Sequence, residues 1–105
     1  MMKRINKHQQ IIADLEQRLL NSPIKYDIFT NLEYGPKGRL IGEIDLYATT
    51  DTHALYFEIK STHSDKSYHT AVKQLNRINT KYATSKKNNK YFYVTVGLIH
   101  RITPK

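Results

Sequence analysis

The chain has 105 residues, 39% of them apolar and 25% charged, which predicts one domain (1–105) with a modest packed core rather than wholesale disorder. It contains no cysteine, which excludes disulfide scaffolds, thiolate zinc sites and cysteine nucleophiles, and its formal charge of +8 favours a polyanionic partner. No apolar run approaches the roughly 18 residues of a membrane helix, and Met1-Met2-Lys3-Arg4 leads into polar residues rather than a signal-peptide core, so a soluble cytoplasmic protein without a membrane partner is expected.

Residues 3–20 read as a helix, because Ile5, Ile12, Leu15 and Leu19 form an apolar stripe with charged residues between them. Asn21-Ser22-Pro23 ends it, since proline cannot continue the hydrogen-bond ladder. Residues 24–33 carry Ile24, Tyr26, Ile28, Phe29 and Leu32 and predict a first strand, followed by a turn at Gly35-Pro36-Lys37-Gly38. Two further strands are expected at Leu40–Thr49 and Ala54–Ser61, joined by Thr50-Asp51-Thr52-His53. From about Ser67 to Ala83 the pattern is helical again, with Ala71, Val72, Leu75, Ile78 and Tyr82 on one face. A polar loop at 85–90 leads to a strand at Tyr91–Val96, and Leu98–Thr103 adds a short last one. The order α-β-β-β-α-β-(β) predicts an α/β fold, a central mixed sheet flanked by helices. Most of the eight tyrosines are expected in the core or on sheet faces, with Tyr91 and Tyr93 alternating against Phe92.

The placement of charge says more than its sum. From Lys66 to Lys105 there are nine lysines and arginines and no acid, a broad positive field suited to nucleic acid. A solubilising surface is the plainer alternative. Yet Glu43, Asp45 and Glu58 fall on two segments that otherwise read as buried strand. Strand alternation puts Glu43 and Asp45 on one face with Ile44, Leu46 and Ala48 on the other, and sets Glu58 and Lys60 opposite Leu55, Phe57 and Ile59. A hairpin centred between Asp51 and Thr52 places Asp45 across from Glu58 and Glu43 across from Lys60. Two carboxylates about 5 Å apart are destabilising unless a cation relieves them. Magnesium suits the task, because it takes oxygen ligands and commonly uses one or two carboxylates with waters and substrate phosphate. Lys60 then stands beside the ion, where it can align a water or stabilise charge on phosphate. On the plainer alternative, Glu58–Lys60 and Glu43–Lys60 are ion pairs on a solvated sheet face.

Gly42-Glu43-Ile44-Asp45-Leu46 followed by Phe57-Glu58-Ile59-Lys60-Ser61-Thr62 resembles the PD-(D/E)xK nuclease superfamily, with its restriction-endonuclease-like fold. The Glu-Ile-Lys-Ser-Thr ending is most similar to the archaeal Holliday junction resolvase branch. The resemblance spans most of the chain, since α-β-β-β-α-β is also that family's core. It implies metal binding by Asp45, Glu58 and the carbonyl of Ile59, with Lys60 as the catalytic lysine. It also implies site roles for Glu16, as a glutamate on the first helix, and for Gln74, on the helix after the lysine strand. Isoleucine rather than proline precedes Asp45, and the short chain leaves little room for a sequence-specificity domain.

Other residues keep two readings. Glu16 competes with Asp14 and with a solvated position, and Gln74 with a plain exposed glutamine. Lys37 and Arg39 either grip phosphates near the cleavage point or belong to an ordinary turn. The histidines show no His-x-x-x-His spacing, so structural zinc is not expected, and surface positions are preferred for His63 and His69. Together these features predict a magnesium-dependent nuclease acting on DNA, with manganese able to substitute; that it is an endonuclease selective for branched DNA structure rather than sequence is what the resemblance implies. Lys73 and Arg77 on the second helix and Lys86 and Lys87 in the 85–90 loop are expected to hold the DNA backbone. Junction resolution further implies a homodimer. The alternatives are a non-catalytic basic nucleic-acid-binding module and an accessory subunit.

Overall fold

The computed structural model describes residues 6–104. Helix α1, Lys7–Leu20, starts where Asn6 turns extended and its side chain accepts the Gln9 N–H at 2.8 Å. This is an N-cap, which satisfies a backbone donor the first turn would otherwise leave free. The expected start at Lys3, and Ile5 of the apolar stripe, lie outside the described residues. Helix α2, Asp65–Lys81, is capped in the same way by Ser64, which accepts the Ser67 N–H at 3.0 Å. That cap moves the helix start two residues ahead of the expected one, and Asp65 in its first turn suits the helix dipole.

Five strands form one sheet in the order β1 (Asp27–Tyr34), β2 (Gly42–Thr49), β3 (His53–Ile59), β4 (Asn88–Thr95) and β5 (Leu98–Ile102). β1, β2 and β3 run antiparallel, α2 carries the chain across to β4 parallel to β3, and β5 returns antiparallel. The fold is therefore α/β with a mixed sheet. Residues 88–90, expected in a loop, belong to β4. Asn88 pairs with His53 at the start of β3, so backbone pairing there overrides the polar sequence.

The sheet buries both faces. Ile12 and Leu15 of α1 pack with Leu46, Ala48, Leu55, Phe57, Ile59 and Val94. On the other face, Ala71, Leu75 and Ile78 of α2 pack with a tyrosine-rich set that includes Tyr34, Tyr47, Tyr56, Tyr91 and Tyr93. Rings of neighbouring strands stack in a row, Phe29 on Tyr47, Tyr47 on Tyr56 and Tyr56 on Tyr91, with centroids 5.9, 5.2 and 5.0 Å apart. The buried hydroxyls of Tyr56 and Tyr91 donate to Asn89 and Asn79 at 3.0 and 2.8 Å. At these two positions tyrosine can fill the core because its polar end finds a partner. Among the described residues no helix is long and apolar enough to cross a membrane.

Candidate functional site

The β2–β3 hairpin turns between Asp51 and Thr52, and its ladder runs from Thr49↔Ala54 to Leu46↔Phe57, the expected register. The ladder stops one residue short of Asp45 and Glu58. There the Asp45 side chain takes over, and its Oδ2 accepts the Ile59 N–H at 2.9 Å. β1 is disturbed at the same level. Its pairing with β2 skips from Thr30↔Leu46 to Leu32↔Ile44, leaving Asn31 across from Asp45 at φ +52. On either side of this point the strands exchange faces. Ile28, Leu46 and Ala48 pack against the α1 side, whereas Leu32, Tyr34 and Ile44 pack against the α2 side. The expected alternation, with Ile44 and Leu46 on one face, is thus corrected: a left-handed residue breaks the pleat at Asp45.

Asn31 tolerates that backbone better than most side chains, because left-handed geometry costs a branched residue about 1–2 kcal/mol. Asn31→Val is therefore expected to lower stability by about that amount, whereas Asn31→Gly should be near neutral. Urea unfolding of the two variants checks this, and equal stabilities would contradict a strained Asn31.

Glu58 is the anomalous group. It is 1% exposed, and among the described residues neither carboxylate oxygen has a hydrogen-bond donor. Burial first, then the Asp45 charge and a hydrogen bond shared with Asp45, push its pKa up to about 9, with Glu43 adding and Lys60 opposing. A protonated Glu58 can donate to Asp45, so the metal-free pair is stable when it keeps one proton. In the unfolded chain the same group titrates near 4.5. Between these values the folded chain holds a proton that the unfolded chain releases. The stabilisation is complete below about pH 4.5 and is lost as pH rises toward about 9. Glu58→Gln keeps the shape without the ionisation. It is expected to flatten this profile and to be more stable than the metal-free wild type near pH 8, by about 1–3 kcal/mol. Thermal melts from about pH 5 to about pH 9 provide the check, and parallel profiles for the two proteins would contradict it.

Lys60 extends past β3, its N–H donating to the Val94 carbonyl at 2.9 Å. Its Nζ donates to Gln74 Oε1 on α2 at 2.9 Å. Lys60 and Gln74, expected at one site, are in direct contact. Glu43 is not across from Lys60 as expected. The β2–β3 ladder has ended before it, and on its other edge Glu43 pairs with Glu33 of β1, both exposed. Glu16 is also displaced from its expected place. His8 of α1 reaches Asp45, with Nε2 3.5 Å from Oδ2. Glu16 is eight residues farther along, about 12 Å of helix rise. The histidine shares a stripe with Ile12, Leu15 and Leu19, a spacing that could have revealed it. Asp14 is exposed and accepts from Gln10 at 2.9 Å.

The basic residues divide by position. Lys37 and Arg39 are exposed in the loop after Tyr34, which pairs with Gly42, so the loop lies at the Asp45 end of β2. Lys73 and Arg77 are exposed on α2, on either side of Gln74 in sequence. Arg77 and Glu58 act with opposite sign on the Tyr34 hydroxyl, whose pKa is raised chiefly by burial. Lys86 and Lys87 do not join this group. They precede Asn88, which pairs with His53 at the start of β3, about 20 Å of strand from Lys60. Lys87 Nζ instead donates to Thr49 Oγ1 at 2.7 Å. His63, expected at the surface, is exposed, and its Nδ1 lies 3.0 Å from the Tyr93 hydroxyl.

No three His, Asp or Glu side chains form a ready-made metal cage among the described residues. The donor set nevertheless suits a hard cation: Asp45 and Glu58 offer carboxylate oxygens, with Ile59 between Glu58 and Lys60 on the same strand end. The unpartnered oxygens of Glu58 are the feature such an ion would relieve. No protein-family model, curated protein or solved structure matches the chain.

Proposed function

We propose that this chain is a divalent-metal-dependent endonuclease that hydrolyses DNA phosphodiester bonds, with a PD-(D/E)xK-like centre at Asp45, Glu58 and Lys60. The observation that carries the reading is Glu58. It is a carboxylate buried without a donor against a second carboxylate, in a protein of charge +8. Nothing in a DNA-binding surface requires that arrangement, whereas an ion-binding centre does. The lysine held by Gln74 supplies the accompanying positive group.

In the reaction, water adds to phosphorus as the bond to the leaving oxygen breaks, giving a phosphate end and a hydroxyl end. A bound magnesium or manganese ion supplies Lewis acidity to the phosphate and lowers the pKa of water. Asp45 and Glu58 hold the ion, and Ile59 contributes its carbonyl. Lys60 aligns the water and offsets charge developing on phosphate oxygens, while Gln74 fixes its ammonium by accepting one of its hydrogens. Lys37, Arg39, Lys73 and Arg77 provide exposed cations for the DNA backbone, so binding weakens steeply with salt. Selectivity for DNA structure, action on junctions as a homodimer and a cytoplasmic setting belong to the same reading.

The test is cleavage of end-labelled linear duplex, single-stranded, flapped and four-way-junction DNA with magnesium, manganese or EDTA. The expected result is metal-dependent cutting, strongest on branched DNA. Binding without cleavage of any substrate would overturn the reading in favour of a basic binding module.

A further inference from the structure

We infer that His8 is a direct nitrogen ligand of the ion held by Asp45 and Glu58, and that the site therefore prefers manganese and later transition-metal ions to magnesium. The inference rests on the metal-dependent reading above and deepens it. His8 is fixed by the first turn of α1: Asn6 caps that turn, and Ile12 and Leu15, one and two turns on, are buried against the sheet. Its Nε2 is 3.5 Å from Asp45 Oδ2. That is longer than a charge-assisted hydrogen bond, which runs about 2.7–2.9 Å. It is close to the spacing of two donors that share one ion. With bonds of about 2.1 Å, neighbouring ligands stand about 3.0 Å apart around an octahedral ion and about 3.4 Å apart around a tetrahedral one.

The rest of the site agrees. Asp45 Oδ2 accepts a single N–H, from Ile59, and a carboxylate oxygen can accept a second partner. Glu58 brings two buried oxygens without donors. The three groups do not form a closed cage among the described residues, so an ion bound here would be held by His8, Asp45 and Glu58 only with the Glu58 carboxylate joining the His8–Asp45 pair. Imidazole is a softer donor than water or carboxylate. A His and two carboxylates favour manganese, cobalt, nickel or zinc relative to magnesium, which demands hard oxygen ligands.

The probe is manganese alone, added to the full chain without DNA. Electron spin-echo modulation of the bound ion is expected to show nitrogen coupling from imidazole. His8→Glu should abolish that coupling while retaining an ion, and shift the manganese-to-magnesium preference by about tenfold. Circular dichroism would establish that each variant is folded. Manganese that binds through Asp45 without nitrogen coupling would overturn the inference and leave the nuclease reading standing, with His8 a neighbour of Asp45 rather than a ligand. Absence of any manganese or magnesium binding at millimolar ion would overturn both.

Discussion

Asp45→Asn is expected to lower the single-turnover rate of DNA cleavage by on the order of 10³-fold or more, while leaving DNA binding within a few-fold. The substitution is chosen for its shape. The carbonyl oxygen of the new amide can still accept the Ile59 N–H that closes the end of the β2–β3 ladder, so the strand junction keeps its hydrogen bond. What disappears is the negative charge, and with it the pull on a divalent ion. Glu58 loses its strongest like-charge neighbour, so its pKa moves back toward the ordinary carboxylate range. Removing an acid beside bound phosphates should, if anything, tighten binding. Rates and binding isotherms measured at matched salt separate the two functions. Equal loss of both would contradict a catalytic role for Asp45.

Lys60→Met should cost on the order of 10²–10³-fold in the same rate, with metal binding retained. Methionine keeps an unbranched apolar stem and removes only the ammonium. Two secondary signs are expected. Gln74 Oε1 loses its donor, and Glu58 loses the neighbouring positive charge that favours its ionised form. Lys60→Arg should not restore the rate, because a planar guanidinium cannot reproduce the compact charge held 2.9 Å from Gln74. Gln74→Ala should cost less, about tenfold, since it orients the lysine without carrying its charge. Metal titration beside the rate measurement tests the assignment, and an unchanged Lys60→Met rate would contradict it.

The hairpin register is legible in the sequence because the Asp51-Thr52 turn and the alternation of Leu55, Phe57 and Ile59 leave little freedom. The buried face of α2 is legible for a similar reason: Ala71, Leu75 and Ile78 recur at helical spacing. The break in the pleat is not. Strand alternation is a rule about ideal backbone, and Asn31 is the lone local sign that β1 departs from it. Family resemblance points to Glu16, yet the N-cap and the Ile12–Leu15 stripe bring His8 to Asp45 instead. Lys86 and Lys87 read as part of a substrate surface because charge is additive along a sequence. The parallel crossover places them at the far end of the sheet from Lys60.

The most direct test of the central claim is the single-turnover cleavage rate of a four-way-junction DNA as a function of magnesium or manganese concentration, for wild type and Glu58→Gln. If Asp45 and Glu58 hold an ion that the reaction uses, the wild-type rate rises to a plateau with metal and is abolished by EDTA. The Glu58→Gln rate then stays near background even though the variant is more stable than the metal-free wild type near pH 8. Cleavage that persists in EDTA, or that saturates identically in Glu58→Gln, would contradict a metal centre at the buried carboxylate pair.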